Sequence, residues 1–338
     1  MHRPFKSGSR GPNPIISDTE IALDERDSKG ERAPRIHAVV LNWNSYEYNA
    51  ACIRSLERSM YPFEKIIVVD NGSSDGSREK LMGEFQSERV VFVWNKENMG
   101  FAGGMNIGIQ HALALGADMV YSINNDTETD PSCLGFLVEA LESDHSAGIA
   151  GPAIMFFSNP DKIWLVGGYV SRLRAGIAVP DKGKQIQKIG SDKKEVTFLT
   201  GCAILVRKEV FERVGLLDTS YFFYSEDLDF DLRVLEAGLS LLFVPQAKVW
   251  HKIEDVPVAR TSPYVLYHLA RSTVLVFRRR FSWPYRWYAV FLQFMLYTPF
   301  RFWQIFKGGS GLESYAAWLK GLWAGIRADR HSSGQAHL

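Results

Sequence analysis

Val68-Val69-Asp70-Asn71-Gly72-Ser73-Ser74-Asp75-Gly76 is the stretch on which the fold turns. Its first residues close a short β-rich run, Lys65 to Val69, and the rest is a polar, glycine-punctuated loop of the kind that opens a helix. Upstream, Ala51 to Arg58 has a helical pattern and Ile36 to Leu41 is another short apolar β-rich run. Downstream, Val90 to Val93 predicts a third strand, Gly103 to Leu115 a helix, and Asp118 to Ile123 a fourth strand. Strands alternating with helices at this spacing require βαβ units and a mostly parallel, Rossmann-like α/β sheet. Right-handed crossovers then put helices on both of its faces.

The second half is less regular. Gly167 to Asp192 is rich in Gly, Lys and Asp and predicts a mobile loop or hairpin over the site. Val196 to Val206 reads as a strand pair interrupted by Gly201. Glu226 to Ala237 reads as a helix with Ser225 as N-cap and Gly238 closing it. Leu239 to Val244 and Ala247 to Trp250 supply the last strands, with Pro245 marking the turn between them.

In an open α/β sheet, ligands bind beyond the carboxyl ends of the strands, so polar groups at those ends converge on one site. Four segments qualify: Asp70-Asn71, Asn124-Asn125-Asp126, Glu226-Asp227-Leu228-Asp229 and Trp250-His251. Each also has a plain structural reading. Asp70 is either a turn residue or a carboxylate that meets a nucleobase or ribose. Asn98, Gly100, Gly103, Gly104 and Asn106 open a helix where glycines permit close approach of a ligand or of neighbouring elements. Asp126 suits a hard cation such as Mg²⁺ or Mn²⁺ that also takes diphosphate oxygens, or an Asx-turn before Asp130-Pro131. The helix dipole and an i,i+4 partner, Arg233, account for part of the Glu226, Asp227, Asp229 cluster. They do not account for all three acids following Tyr221-Phe222-Phe223-Tyr224, an aromatic stretch suited to a sugar-facing wall. His251 shares a strand-end position with the carboxylates, which favours metal ligation over simple packing.

Global composition excludes little. A formal net charge of +1 over 338 residues points to no nucleic-acid partner. Cys52, Cys133 and Cys202 are scattered and outside any CxxC spacing, which predicts neither disulfide framework nor zinc knuckle and fits a reducing compartment. Residues 1–34 carry no apolar signal segment and read as a flexible tail. At the other end, Trp287 to Phe300 is an uncharged aromatic and aliphatic run, shorter than the ~20 residues of a spanning helix. Arg278, Arg279, Arg280 and Arg286 flank it on one side and Arg301 and Lys307 on the other, with no Asp or Glu from Arg271 to Lys307. Such a stretch fits an amphipathic helix lying in an anionic headgroup region, or a helical annex packed on the catalytic domain or a dimer interface. The domains expected are therefore 1–34 tail, 35–265 catalytic domain and 266–330 helical annex.

The order of these segments resembles glycosyltransferase family 2, the inverting enzymes of GT-A fold. The resemblance spans about Ile36 to Arg280 and is carried by Val40-Leu41-Asn42-Trp43-Asn44, Val69-Asp70-Asn71-Gly72-Ser73, Asn98 to Asn106, Asn124-Asn125-Asp126, Gly201-Cys202, Glu226-Asp227-Leu228-Asp229 and Trp250-His251. Within the family it looks most like rhamnosyltransferases of cell-surface polysaccharide synthesis. The family's metal motif is often Asp-x-Asp; here its first position is Asn124. The resemblance implies donor contacts from Asn42, Asn44, Asp70, Asn98, Gly100, Gly104 and Asn125, with Asp70 at the base. It implies metal ligands Asp126 and His251, Asp227 as general base, and Tyr224, Glu226 and Asp229 on the acceptor side. It further implies Mg²⁺ or Mn²⁺, a dTDP-rhamnose donor first and UDP-sugars next, and a glycan or polyprenyl-linked acceptor at the inner face of the cell membrane. Two other classes are a noncatalytic nucleotide-sugar or glycan-binding protein of this fold, and a dinucleotide oxidoreductase. The latter is disfavoured because the Gly-rich segment follows the third strand instead of the first.

Overall fold

Alternation of apolar residues along the first strands decides which way each faces. The computed structural model describes residues 32–253, 262–309 and 311–328, so the expected N-terminal tail lies almost wholly outside the described residues. The opening half runs β1 (Ile36–Asn42), α1 (Tyr46–Glu57), β2 (Lys65–Asp70), α2 (Ser77–Glu84), β3 (Val90–Trp94), α3 (Gly100–Ala114) and β4 (Met119–Ile123), as its periodicity requires. Ile36, Ala38 and Val40 enter one core layer with α1, while Val39, Ile67 and Val69 enter the other with α3. This two-sided burial is why the strands read as nearly continuous apolar runs.

The chain continues through β5 (Thr127–Thr129), α4 (Cys133–Glu142), β6 (Ala147–Phe156), β7 (Asn159–Leu165), the hairpin β8 (Tyr169–Ser171) and β9 (Gly176–Ala178), and β10 (Lys194–Val196). Then come β11 (Ala203–Arg207), α5 (Lys208–Val214), α6 (Glu226–Glu236) and β12 (Ser240–His251). The main sheet has the order β10-β12-β6-β11-β4-β1-β2-β3. Pairs β1–β2, β2–β3, β1–β4 and β6–β12 are parallel. β11 is inserted antiparallel between β4 and β6, so the two parallel blocks meet across a reversed strand.

Two expectations change. The pair expected over 196–206 separates into β10, on the sheet edge beside β12, and β11, in the centre. The two last strands are one strand, β12, with a bulge where Val244 pairs Pro152 and Lys248 pairs Ala153. Pro245 sits in that bulge, where its missing N–H costs no ladder bond. Residues 167–192 contain the β8–β9 hairpin and a 3₁₀ turn at Ile186–Lys188.

The C-terminal region is helical as expected: α7 (Pro263–Arg280), α8 (Tyr285–Leu292), a π-helical segment (Gln293–Tyr297), α9 (Thr298–Lys307) and α10 (Gly311–Arg327). The boundary expected between 265 and 266 falls inside α7, and the chain from Arg35 onward forms one compact unit. Gly321 and Gly325 let α10 lie directly on α7, since a Cβ on either would come within 2.3 and 2.6 Å of the carbonyl oxygens of Tyr267 and Arg271. Arg278, Arg279 and Arg280 turn inward instead of flanking a membrane segment. Arg278 donates to the carbonyls of Gly325 and Ala328, Arg279 pairs with Asp218 at 2.6 Å, and Arg280 pairs with Asp229 at 2.6 Å. Among the described residues no helix is long and apolar enough to cross a membrane.

Candidate active site

The short strand β5 sets the geometry of the metal edge. Its antiparallel register, His251 opposite Thr127 and Val249 opposite Thr129, brings the residue before β5 beside the end of β12. Asp126 Oδ1 consequently lies 3.0 Å from His251 Nε2. The imidazole is buried, with Trp164 edge-on at 4.6 Å, while the carboxylate keeps an open side. Two ligands at about 2.1 Å from one octahedral ion stand about 3 Å apart when adjacent, so the observed separation suits shared Mg²⁺ or Mn²⁺ ligation. Asn124 Oδ1 is buried without a hydrogen-bond partner in the same segment, a further oxygen of the right hardness. Among the described residues no cluster of three or more His, Cys, Asp or Glu is placed to hold a metal.

On the opposite edge, amides and hydroxyls satisfy one another. Asn42 is fully buried; its Nδ2 donates to Asp70 Oδ2, Ser73 Oγ and Ser77 Oγ, and its Oδ1 accepts from Asn49. It braces the loop and presents nothing to a donor, which corrects its expected role. Asp70 occupies the expected end of β2 but is buried, accepting also from the Ser73 N–H at 3.0 Å. Asn44, at φ 50°, ties the two loops together by accepting from the Ser74 N–H, and its own N–H donates to Ser73 Oγ. Asn71 donates to Asn98 Oδ1 and the Gly100 carbonyl and accepts from Asn95 and the Met99 N–H. Gly100 adopts φ 73°, and a Cβ there would meet Phe222 at 2.9 Å. Gly104 is a packing residue and not a donor contact: a Cβ would press on Leu41 at 2.5 Å.

The carboxylates of α6 have separate fates. Tyr224 and Ser225 both take left-handed backbone angles, φ 68° and 66°, turning the chain sharply into the helix. Ser225 holds the N-cap position without a side-chain cap bond, against expectation. Asp227 is half-buried; its Oδ2 accepts from the Gly201 N–H at 3.1 Å and its Oδ1 from the Leu228 N–H at 2.8 Å. Burial raises its pKa, and these two donors oppose the rise by favouring the charged form. Glu226 is buried with Oε2 unpartnered, and burial together with the Asp227 charge pushes its carboxyl up to about 8. Asp227 is thus the member of the pair whose charged form the backbone favours. Asp229 is not an acceptor-side residue: it is fully buried and bound by Tyr221 Oη, Arg233 and Arg280.

Between the edges lies a cleft of about 460 Å³ lined by Trp43, Asn71, Asn98, Gly100, Phe101, Asn124, Asn125, Asp126, Phe222, Phe223, Tyr264 and Leu41. Only the middle of the expected aromatic wall lines it. Phe222 and Phe223 do so, whereas Tyr221 is buried and Tyr224 packs on Phe223 at 4.2 Å. Asp227 and Glu226 border an adjoining apolar void of about 20 Å³ that shares Phe101. Trp43 and Tyr264 were not expected. Trp43 carried a signal as an aromatic at a strand end beside Asn44, whereas Tyr264 stands on α7, far along the chain.

Residues 38–215, just over half of the chain, match the profile of glycosyl transferase family 2. The chain belongs to that family. This glycosyltransferase is 26% identical over 253 residues to the dTDP-rhamnosyl transferase RfbF of Shigella flexneri, covering 72% of this chain and 80% of that one. It is 24% identical over 245 residues to the N-acetylglucosaminyl-diphospho-decaprenol L-rhamnosyltransferase of Mycobacterium tuberculosis, covering 66% and 78%. Solved GT-A structures share its fold. A mannosyltransferase from Pyrobaculum calidifontis, in complex with GDP-Man and Mn²⁺, superposes with TM-score 0.54 at 15% identity over 87% of this chain and 81% of that one. GalNAc-T7, with UDP, GalNAc and Mn²⁺, gives 0.58 at 15% identity over 75% of this chain and 49% of that one.

Proposed function

We propose that this glycosyltransferase moves a sugar, L-rhamnose first among candidates, from a nucleotide-diphosphate donor to a hydroxyl of a glycan or polyprenyl-linked acceptor, inverting the anomeric centre. The observation that carries the reading is the Asp126–His251 pair, 3.0 Å apart at the cleft. The activities of the two rhamnosyltransferase relatives support the donor and the lipid-linked acceptor. In this reading Asp126 and His251 hold Mg²⁺ or Mn²⁺, which would neutralise charge developing on the departing diphosphate.

The chain's own residues do the rest. The nucleotide lies along Trp43, Asn71 and Asn98, with Asp70 at the base and Asn125 and the Gly100 backbone towards the diphosphate. Asp227 accepts the proton of the acceptor hydroxyl as that oxygen attacks the anomeric carbon. The new glycosidic bond forms on the face opposite the breaking C–O bond, whose electron pair leaves with the diphosphate. Gly201 and Leu228 N–H groups hold the Asp227 carboxylate in place, and a protonated Glu226 beside it adds no second negative charge. The enzyme works, on this reading, at the inner face of the membrane where a polyprenyl-linked acceptor is presented.

Calorimetric titration with a panel of nucleotide sugars, dTDP-rhamnose included, with Mn²⁺ or Mg²⁺ and again with EDTA, tests it. Metal-dependent binding of one donor is expected. Binding of no donor overturns the reading, and binding indifferent to EDTA removes the metal from it.

A further inference from the structure

The β8–β9 hairpin is pinned to the C-terminal helices by its own tip. Three successive carbonyls accept from side chains of the annex: Leu173 from Tyr288 Oη at 2.8 Å, Arg174 from Tyr297 Oη at 2.6 Å and Ala175 from Gln293 Nε2 at 3.3 Å. Ala175 takes φ 44° to make this turn. With the backbone so occupied, the side chains of Arg172, Leu173 and Arg174 point away from any packing, and Leu173 is 79% exposed.

The hairpin tip adjoins a helical surface of the same character. α8 and α9 bury Ala289, Val290 and Ile305 inward, while Trp287, Phe291, Met295, Phe300 and Trp303 stand exposed. The spacing of 287, 291 and 295 keeps three of them on one side. Phe291 and Trp303 are 57% and 55% exposed, beyond what isolated surface aromatics explain. The charge is one-sided as well. No Asp or Glu occurs from Pro263 to Leu312. Among the described residues no carboxylate pairs with Arg172, Arg174, Arg286 or Lys307, whereas Arg301 turns inward over the buried Trp318 ring.

We infer that this composite face, the outer side of α8 to α9 together with the Arg172-Leu173-Arg174 tip, docks on an anionic lipid bilayer. An isologous contact with a second copy would set this patch against itself, bringing cations onto cations with no acid to separate them. Anionic headgroups supply the missing counter-charge, and Trp and Tyr side chains favour that depth of a bilayer. Among the described residues no helix is long and apolar enough to span, and in this inference the face lies along the bilayer surface. The inference rests on the lipid-linked acceptor for its purpose and on these residues alone for its location.

The test is flotation of the full chain with phosphatidylcholine vesicles, with and without phosphatidylglycerol. Binding to the anionic vesicles, weakened by salt, is expected. Leu173→Glu and the pair Arg172→Glu/Arg174→Glu should each lower partitioning about tenfold with melting temperature unchanged, because only backbone atoms at the tip are bonded. No flotation of the native chain, or flotation unaffected by both variants, overturns the docking. So does a sedimentation dimer that the same variants dissolve, which would make the face an interface between copies. Donor titration and vesicle binding fail separately: a chain that floats but binds no nucleotide sugar keeps the surface and loses the proposed reaction.

Discussion

At the ends of β1 and β2 the buried polar side chains are mostly amides and hydroxyls that use up one another's hydrogen-bonding groups, with Asn42 alone making three such contacts and a fourth to the Asp70 carboxylate. At the start of α6, four carboxylates occur within six residues, Glu226, Asp227, Asp229 and Asp231, and all are at least half-buried. The amides cost little to bury because they are neutral and most of their polar atoms are bonded. The carboxylates must each be satisfied differently: Asp229 by two arginines, Asp231 by the Leu199 N–H at 2.6 Å, Asp227 by two N–H groups, Glu226 by a proton. One edge of the cleft is thus built to hold a shape, and the other to hold a charge that can change.

The largest expected effect separates the edges by chemistry. Asp227→Asn keeps the shape and one of the two backbone contacts, since its amide oxygen can still accept while its NH₂ cannot, and it removes the proton acceptor, so kcat should fall by about 10²- to 10⁴-fold while donor affinity stays within about twofold. Stopped transfer assays and calorimetry check both. Loss of donor affinity instead would move Asp227 to the donor edge and dissolve the distinction.

Next comes the anchor of the charged edge. Arg280→Ala leaves the fully buried Asp229 with Arg233 and Tyr221 only, and breaking a buried pair from one side should destabilise the fold by about 3 kcal/mol. Chemical denaturation measures it, and a change below about 0.5 kcal/mol would make the pair dispensable. A smaller loss, about 2 kcal/mol, is expected for Asn42→Ala, which strands the side chains of Asn49, Ser73 and Ser77 but leaves the Asp70 carboxylate the Ser73 N–H. If Asn42→Ala proved the costlier change, the contrast between neutral and charged burial would be reversed.

The same contrast governs what was legible in the sequence. β1 to β4 and their helices follow from local periodicity, and Asp126 with His251 from order along strand ends, because a parallel sheet delivers those ends to one side. Partnerships made at long range are invisible to that reasoning. Arg233, one turn from Asp229, was visible as a partner; Arg280, 51 residues away, was not, so three arginines that anchor α7 looked like a membrane flank. Asn42 looked like a ligand contact because an amide at a strand end gives no sign of whether neighbours will consume it. Gly104 looked like a donor contact because close packing on Leu41 and close approach to a ligand ask for the same residue. Pro245 looked like a turn because a bulge and a turn both tolerate its missing N–H.

The smallest prediction tests whether the Glu226–Asp227 pair carries a single charge. The Glu226 carboxyl sits at about 8 in the folded chain against an ordinary 4.5, so between those values the folded state holds a proton that the unfolded state has released. Stability should therefore decline as pH rises through that window, with the penalty complete above about 8. Glu226→Gln is neutral throughout. Relative to the native chain it should gain stability across this window and level off above pH 8, on top of a pH-independent offset from burying the amide. Melting curves across this range read the difference, and a constant offset at every pH would mean that Glu226 does not titrate there. Because the Asp227 charge contributes to the shift, Asp227→Asn lets the Glu226 carboxyl fall back towards its ordinary value. The alkaline gain from Glu226→Gln should then shrink in that background, and an undiminished gain would mean that burial alone, without the neighbouring carboxylate, keeps Glu226 protonated.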